Sequence, residues 1–497
     1  MSHASVTPHT SSDAADVLDA PTREKVLVVG AGPAGLAAAA ALKALRVPFD
    51  LVDGNKDVGG IWNEEREDSP VWPAMEMVSS TRFTQYEDMI QPVSFPPFLR
   101  PGQMAKYLRA YAARYELTDH FLPKVSVRTA TPFDEEGVWQ VELSNGKVAV
   151  YSALVAAHGI SGRPHLPRWA SEVPDEVRTL HAAQWTGSDG LEGKRVLIVG
   201  SGQSAADIAV DAARRALEVR WSVRTGHWVV PRSIGGRPGD VAASHEPSLL
   251  GPLNEKIAEQ AVRRTIGDPQ SLGLPRPSAS LLEDAVIISD ELAPRIRDGR
   301  VTPTGDVESI AADATVSFSA GAEYTPDVIV FATGYEQASE YLPEDVVPRT
   351  ADGELDLFLG TFPRGRDNLV LLGQQRVNGG VLPLLVEQAD VAAYALHAMR
   401  SGSAQAEEFR RIRERGDSEV PAHEAREESG VRGKLESLLP GRREDQRSDA
   451  GAAAASRSTG ASAASRSAGA SRDEGLVPFV DRDRLLGRLR FVRGLFA

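Results

Sequence analysis

The chain has 497 residues, enough for two or three domains, and its 42% hydrophobic and 25% charged residues are ordinary for a globular protein. A net charge of −14 argues against a nucleic-acid partner. The absence of cysteine excludes disulfides, thiolate metal sites and every thiol-based redox mechanism. The polar N-terminus lacks a secretory-signal pattern, and no stretch reaches the roughly 20 apolar residues of a membrane helix, so we expect a cytoplasmic protein.

The first predicted elements form a strand–turn–helix–strand unit. An apolar strand at 25–29 runs into the turn GAGPAG at 30–35, and an Ala/Leu-rich helix and a second strand at 49–53 follow. This order around a glycine-rich turn is typical of a dinucleotide-binding unit.

The three glycines of this turn have separate expected roles. Gly30 permits the tight turn, Gly32 lets a pyrophosphate approach the backbone, and Gly35 lets the helix pack on the strand. The helix N-terminus supplies amide donors for the phosphates, and Asp53 can accept hydrogen bonds from a ribose. The alternative is a Rossmann-like unit without a ligand.

The next stretch contains fewer regular elements. Residues 70–101 predict an irregular packed loop, and 103–115 predict an amphipathic helix. Residues 125–151 predict antiparallel strands with Asn145-Gly146 as a hairpin turn.

A second strand–glycine–helix unit starts near residue 195. The strand 196–199 leads into GSGQSA at 200–205, where Ala205 replaces the third glycine, and a strand near 219–223 follows. At the position that matches Asp53 this unit carries Arg224, which can bind a 2′-phosphate that an acid would repel. We therefore expect NADPH here, with Arg224 as the leading phosphate ligand and Thr225 and Arg232 as secondary candidates; a solvated surface arginine is the alternative.

The C-terminal third predicts a buried strand at 326–335, a short strand at 368–373 and a helix at 383–399. Residues 401–475 change character, and their Ala/Ser/Gly/Arg-rich part cannot bury enough apolar surface to fold, so we expect disorder. From 476 to 497 an apolar stripe flanked by arginines predicts a terminal amphipathic helix. Such a helix could bind a membrane surface, but its length of about three turns favours docking on the protein itself.

Two dinucleotide units in one chain imply electron transfer from one nucleotide to the other. Flavin-dependent disulfide reductases are built this way but need a cysteine pair, which this chain lacks. Dioxygen is then the expected acceptor.

The sequence resembles the flavin-containing monooxygenases over roughly residues 24–400. The matching pieces are GAGPAGL at 30–36, GGIW at 59–62, GSGQSAAD at 200–207, SVRTGHWVVPR at 222–232 and FATGY at 331–335. The resemblance implies FAD at the first glycine turn and NADPH at the second. It implies the following cofactor-binding residues: Gly30, Gly32, Pro33, Ala34, Gly35, Asp53, Gly60, Trp62, Gly200, Gly202, Gln203, Ser204, Arg224, Thr225, Thr333 and Gly334.

Two family patterns are altered in this chain. Of the Phe-Gly-His-aromatic hallmark between the two glycine motifs, only His181 and Trp185 remain. Where the family carries an active-site Asn shortly before a Lys, this chain carries Ser79 and Arg82, which the resemblance therefore places at catalytic positions. Ordinary loop polarity is the alternative interpretation of these two residues.

The resemblance implies a mechanism in which NADPH reduces the flavin, and dioxygen then forms a C4a-hydroperoxide that NADP⁺ shields. A soft nucleophile, an amine nitrogen or a thioether sulfur of a small molecule, takes the distal oxygen. The cofactor carries the chemistry, so we expect no protein nucleophile, triad or metal. Four alternatives remain: an N-hydroxylating biosynthetic enzyme, a Baeyer–Villiger monooxygenase, an uncoupled NADPH oxidase or flavin reductase, and a degenerate nucleotide-binding protein.

The predicted fold is α/β, with two doubly wound Rossmann-like domains and the NADPH domain inserted into the FAD domain. A membrane partner is not expected, and a homodimer is an open alternative. The expected segments are a disordered N-terminus (1–22), the FAD domain (23–165 and 325–400), the NADPH domain (166–324), a disordered insertion (401–475) and a C-terminal helix (476–497).

Overall fold

The computed structural model describes residues 22–63, 66, 69–243, 251–277, 279–281, 285–336, 339–351, 353–377, 379–420 and 480–496. The α-helices in these ranges are α1 Pro33–Ala44, α2 Pro101–Arg114, α3 Gln203–Ala212, α4 Gly239–Ala243, α5 Gly251–Thr265, α6 Leu292–Arg297, α7 Leu382–Ser401, α8 Ala404–Arg415 and α9 Arg482–Arg493.

The strands of the first half are β1 Val26–Val29, β2 Phe49–Asp53, β3 Phe121–Pro123, β4 Val127–Phe133, β5 Val138–Leu143, β6 Val148–Tyr151, β7 Ala153–Ala156, β8 Arg163–Pro164, β9 Arg178–His181, β10 Arg195–Val199, β11 Glu218–Ser222, β12 Val229–Val230, β13 Ser233–Ile234 and β14 Arg237–Pro238. Those of the second half are β15 Ile287–Ile288, β16 Val301–Thr304, β17 Val307–Ile310, β18 Val316–Phe318, β19 Glu323–Tyr324, β20 Val328–Phe331, β21 Tyr335–Glu336, β22 Leu357–Phe358, β23 Phe362–Pro363 and β24 Leu369–Leu371.

The first unit is a five-stranded parallel sheet in the order β24-β7-β1-β2-β3. Its central strand β1 is buried along its whole length, as its run of valine and leucine predicts for a parallel strand. Helices α1, α2 and α7 share the hydrophobic core on one face, and the antiparallel sheet β4-β5-β6 covers the other face through Trp139 and Tyr151.

The second unit repeats this plan. Its parallel sheet has the order β16-β11-β10-β20-β9. Side chains of α3 and α6 fill the core on one face, and the antiparallel strands β17-β18-β19 cover the other. The prediction of two Rossmann-like α/β units is thus confirmed. The doubly wound arrangement would place helices on both faces of each parallel sheet, but an antiparallel sheet covers the second face.

The predicted hairpin at Asn145-Gly146 lies between β5 and β6, with Gly146 at φ +82°. By contrast, helix α8 falls inside the stretch that we expected to be disordered from residue 401, so that expectation is wrong for these residues. The helix is stable because Phe409 is buried completely against the core of the first unit. The Ala/Ser-rich tract itself lies outside the described residues.

The terminal helix α9 docks on α7 of the first unit, as we expected. Arg490 Nε and Arg493 Nη1 each lie 3.1 Å from a different carboxylate oxygen of Glu387, which is 1% exposed. Within the described part of the chain, no helix is long and apolar enough to cross a membrane.

Candidate functional site

The first glycine turn closes tightly on strand β7 and helix α1. Gly30 has φ +105°, and a Cβ atom there would lie 2.4 Å from the carbonyl oxygen of Ala157. A Cβ atom on Gly35 would lie 1.8 Å from the carbonyl oxygen of Gly30. Larger residues are therefore excluded at both positions, which agrees with the roles predicted for the turn and for helix packing.

A second loop lies against this turn. A Cβ atom on Gly60, which has φ +58°, would approach Gly32 Cα to 2.9 Å, and the Gly59 amide donates to the carbonyl of Ala31 over 2.9 Å. The adjacent Trp62 packs on the core of the first unit. The structure therefore brings the GAGPAG and GGIW motifs together, although 23 residues of sequence lie between their closing and opening glycines.

Asp53 lies at the end of β2 beside the turn. Its Oδ2 atom accepts a hydrogen bond from the Ala31 amide over 2.8 Å, and its Oδ1 atom accepts two from Asn55, also over 2.8 Å. Since a carboxylate oxygen accepts about two hydrogen bonds, Oδ2 keeps capacity for one more, which a ribose hydroxyl could fill. The same carboxylate thus also stabilises the turn.

Helix α1 and helix α3 begin in the same way. Gly32 and Gly202 are the N-caps, neither provides a side-chain cap, and neither helix has an acidic residue in its first turn. Neither helix N-terminus is therefore occupied by a capping side chain or by an acidic residue of its own first turn, which leaves its amide dipoles available to a phosphate.

The second glycine turn differs from the first in how much space it leaves. Gly200 has φ +137°, and a Cβ atom there would lie 2.2 Å from the carbonyl oxygen of Ala332. By contrast, a Cβ atom on Gly202 would meet no atom of the described residues within 4 Å, its own chain neighbours aside. Ala205, at the position of the third glycine, is fully buried. Gly200 is thus needed by the fold, whereas the space next to Gly202 is open for a ligand.

Gln203 has a different environment from the one its motif predicts. Its Oε1 atom accepts from the Ile288 amide over 2.8 Å, and its Nε2 atom donates to the Ile288 carbonyl and to Asp207 Oδ1, each over 3.0 Å. Both amide protons are therefore committed to the protein. Burial raises the pKa of the Asp207 carboxyl to about 7. Ser204 is exposed.

The Arg224-Thr225 pair lies beside the second turn because Ser201 holds it there. Ser201 Oγ accepts hydrogen bonds from the amides of Arg224 and Thr225 over 3.1 and 3.0 Å. Arg224 is exposed. Ser201, a residue of the glycine turn, thus binds the backbone amides of both predicted phosphate ligands.

Arg232, a secondary phosphate candidate, also contacts the first unit. Its Nη1 atom donates to the carbonyl of Met77 over 2.6 Å, and its guanidinium lies over the ring of Phe98 at 5.6 Å. Its role as a phosphate ligand stays a prediction.

The segment with Thr333 and Gly334 returns the chain from the second unit to the first. Thr333 Oγ1 donates to the carbonyl of His165, and strand β21 pairs with β8, so the two connecting segments run side by side. His181 Nδ1 accepts from the Ala183 amide over 3.1 Å, so its Nε2 atom carries the proton and donates to the carbonyl of Gly334 over 3.1 Å. Burial lowers the pKa of His181, which is thus a neutral structural residue of this crossing.

The predicted catalytic residues lie on one turn of 3-10 helix, Thr81–Phe83, and the residues before it. Arg82 is exposed, whereas Ser79 is 7% exposed with its Oγ atom 2.8 Å from Thr84 Oγ1. Thr84 donates its only hydroxyl proton to the carbonyl of Ser80 over 2.7 Å. Ser79 is therefore the donor to Thr84, and its proton is not free for a ligand in this arrangement.

Two aromatic residues that bind the glycine turns were not predicted from the sequence. The Tyr86 hydroxyl donates to the carbonyl of Pro33, and the Trp221 indole donates to the carbonyl of Gly200, each over 2.7 Å. Both side chains are completely buried, and each fixes one glycine turn. The sequence offers a weak signal for Trp221, an aromatic residue with an N–H donor in a predicted strand. It offers no local signal for Tyr86.

Residues 23–432 match the family model described as flavin-binding monooxygenase-like, so the chain belongs to this family. Dimethylaniline monooxygenase (N-oxide-forming) 2 of Rattus norvegicus is 28% identical over 386 residues, covering 74% of this chain and 72% of that protein. Flavin-containing monooxygenase 2 of Homo sapiens is 28% identical over 387 residues, with the same coverage.

Two solved structures support the fold. An open crystal structure of cyclohexanone monooxygenase matches with a TM-score of 0.61 at 17% identity, covering 76% of this chain and 88% of that one. The flavin-containing monooxygenase of Stenotrophomonas maltophilia matches with a TM-score of 0.55 at 19% identity, covering 76% and 97%. Family membership confirms the predicted class: the protein is an FAD- and NADP(H)-dependent monooxygenase, an oxidoreductase that uses O₂ and a small-molecule substrate.

Proposed function

We propose that this enzyme transfers one oxygen atom of O₂ to a soft nucleophilic nitrogen or sulfur of a small molecule. The balanced reaction for a sulfide is R₂S + O₂ + NADPH + H⁺ → R₂SO + NADP⁺ + H₂O. The observation that carries the proposal is the pair of glycine turns, each with an uncapped helix N-terminus, in a chain without cysteine. The relatives named for N-oxide formation support nitrogen as one acceptor.

We assign FAD to the first unit and NADPH to the second. The turn formed by Gly32 and Gly60, whose backbones approach each other closely without side chains, and the remaining acceptor capacity of Asp53 suit the pyrophosphate and ribose of FAD. The open space at Gly202 and the cation of Arg224 suit NADPH. When bound, NADPH supplies a hydride and FAD supplies the two-electron chemistry with dioxygen.

The remaining predicted cofactor residues have supporting roles in this proposal. Pro33 and Ala34 open helix α1, and Trp62 fixes the loop that carries Gly60. Gln203 positions the second turn through Ile288, and Thr333 and Gly334 hold the crossing next to Gly200. We also propose that the FAD domain resumes only after β20, because that strand pairs in the second sheet beyond the expected boundary at residue 324.

A second candidate function, an NADPH oxidase that releases hydrogen peroxide, is favoured by one observation. The Ser79 hydroxyl, which the resemblance places at the position of the family's active-site amide, donates its proton to Thr84. A reactive oxygen species at the flavin needs hydrogen-bond donors and exclusion of water to persist. If Ser79 supplies no such donor, oxygen would leave as peroxide.

Stopped-flow absorbance separates the two functions. The FAD-loaded protein is reduced with NADPH and mixed with oxygenated buffer. Under the monooxygenase proposal, a spectrum distinct from both oxidised and reduced flavin persists and decays faster when an N,N-dialkylaniline or an alkyl aryl sulfide is added. Direct return to oxidised flavin with peroxide release, with and without these substrates, would establish the oxidase. Acceleration by a cyclic ketone alone would favour Baeyer–Villiger chemistry, and by a primary amine alone N-hydroxylation.

A further inference from the structure

The segment from Met77 to Ser80 in the first unit is held at both ends by the second unit. At one end, Arg232 Nη1 donates to the carbonyl of Met77 over 2.6 Å. At the other, the Ser80 amide donates to Asp240 Oδ2 over 2.7 Å. Both hydrogen bonds involve a charged side chain and a backbone group, so each is stronger than a neutral pair.

The two side chains come from one compact piece of the second unit. Strands β13 and β14 form a hairpin between Arg232 and helix α4, which carries Asp240. The Gly239 amide donates to the carbonyl of Arg232 over 2.8 Å, which links the two ends of the hairpin directly. Asp290 Oδ1 accepts from the Arg232 amide over 3.0 Å and so anchors the piece to the segment after β15. Arg232 and Asp240 therefore move together.

The guanidinium of Arg232 also contacts an aromatic ring of the first unit. It lies over the ring of Phe98, a residue of the first unit, at 5.6 Å. The next residue, Leu99, accepts a hydrogen bond at its carbonyl from the Met77 amide over 2.8 Å. Such stacking restricts the guanidinium to one plane and gives its hydrogen bond a fixed direction. Met77 is thus bound on its carbonyl side by the second unit and on its amide side by the first.

Ser79 lies between the two bound residues. The neighbouring Ser80 is 1% exposed, and its Oγ atom has no hydrogen-bond partner among the residues that the structure describes. Buried hydroxyl groups in native proteins usually have a hydrogen-bond partner, so Ser80 can accept one from a water molecule or a ligand beside the segment.

We propose that Arg232 and Asp240 form a clamp between the two units that fixes residues 77–80 and thereby sets the position of Ser79 at the reaction site. Both are positioning residues, because they contact backbone groups of the segment. The part of the proposal that concerns Ser79 rests on the proposed function; the clamp itself rests on the three contacts between the units, those of Arg232 with Met77 and Phe98 and that of Asp240 with Ser80.

Hydrogen–deuterium exchange tests the clamp without any turnover. In the FAD-loaded protein, Asp240→Ala removes the acceptor of the Ser80 amide, so exchange in peptides covering 77–84 should accelerate about tenfold, the equivalent of one lost hydrogen bond. Asp240→Asn keeps an acceptor oxygen and should restore most of the protection. Arg237→Ala, an exposed residue of the same hairpin, is the matched control and should leave exchange unchanged. Equal exchange in wild type and Asp240→Ala would overturn the clamp.

Steady-state kinetics test its consequence. In Arg232→Ala, the fraction of NADPH that ends as hydrogen peroxide should rise at least about threefold, because small displacements of a reacting group are costly, while the KM for NADPH stays within about twofold. If the KM for NADPH instead rises about tenfold and the fraction of hydrogen peroxide is unchanged, Arg232 binds the phosphate of NADPH, and its clamp role is overturned. If no substrate is oxygenated at all, the proposed function fails, but the exchange experiment still decides the clamp.

Discussion

Replacing Gly202 with alanine should separate ligand binding from folding at the second glycine turn. Its φ is −89°, which alanine adopts without strain, and a Cβ atom there meets no atom of the described residues within 4 Å, its chain neighbours aside. The folded state should therefore accept the methyl group. Alanine has fewer unfolded conformations than glycine but is a poorer N-cap, so these two effects oppose each other and the free energy of unfolding should change by less than about 1 kcal/mol.

The same methyl group would occupy the space that we assign to the pyrophosphate of NADPH. Loss of one charge-assisted hydrogen bond between an amide and a phosphate costs about 1.5–3 kcal/mol, so the Kd for NADP⁺ should rise about tenfold or more. Titration calorimetry with NADP⁺ and thermal unfolding of the same samples measure both quantities.

Gly200→Ala provides the contrasting variant. Its φ is +137°, and the added Cβ atom would lie 2.2 Å from the Ala332 carbonyl oxygen, so this variant should lose stability. A Gly202→Ala protein that folds normally and binds NADP⁺ with an unchanged Kd would refute the assignment of this turn to the pyrophosphate.

Three further predictions concern single side chains. Arg224→Ala should weaken the binding of NADPH at least about tenfold and leave the binding of NADH unchanged, in line with the loss of one charged contact. An unchanged preference for NADPH over NADH in steady-state kinetics would contradict the assignment. Burial raises the pKa of Asp207 to about 7, so its folded form keeps a proton that the unfolded chain releases near 4, and wild-type stability falls between these pH values. Asp207→Asn should therefore gain in Tm relative to wild type as pH rises through that window and level off above it; parallel Tm profiles would exclude this. Glu387→Ala leaves Arg490 and Arg493 without their buried partner and should cost about 1–3 kcal/mol, less than a fully buried pair because both arginines are 37% exposed. Urea unfolding measures this cost, and an unchanged midpoint would show that the ion pairs do not hold α9.

Elements with a strong local pattern could be predicted from the sequence. The sequence places strands β1, β2, β10 and β11 within one residue of their ends. Strands β1 and β10 are largely apolar runs that lead into glycine turns, and β2 and β11 follow at the spacing of a strand–turn–helix–strand unit. Helix α8 was not predicted, although Ala404–Arg415 is rich in strong helix formers. Its high charge and its place at the start of a low-complexity stretch outweighed that local signal, whereas burial of Phe409 against the first unit favours the helix.

The candidate site divides in the same way. The glycine turns and Arg224 follow from spacing, because a strand, a turn and a helix lie close together along the chain. The contact between Arg232 and Met77 joins residues 155 positions apart, and no periodicity reports such a pairing. The two hydrogen bonds from the side-chain amide of Gln203 to Asp207 and Ile288 were likewise not predicted, and its contact with a ligand stays a prediction.

Oxygen-isotope labelling tests the central claim most directly. The FAD-loaded enzyme is incubated with NADPH, ¹⁸O₂ and either N,N-dimethylaniline or an alkyl aryl sulfide, and the product is analysed by mass spectrometry together with the NADPH consumed. The account predicts one ¹⁸O atom in the N-oxide or sulfoxide for each NADPH oxidised. Full NADPH consumption with the label recovered only in hydrogen peroxide, for both substrates, would contradict it.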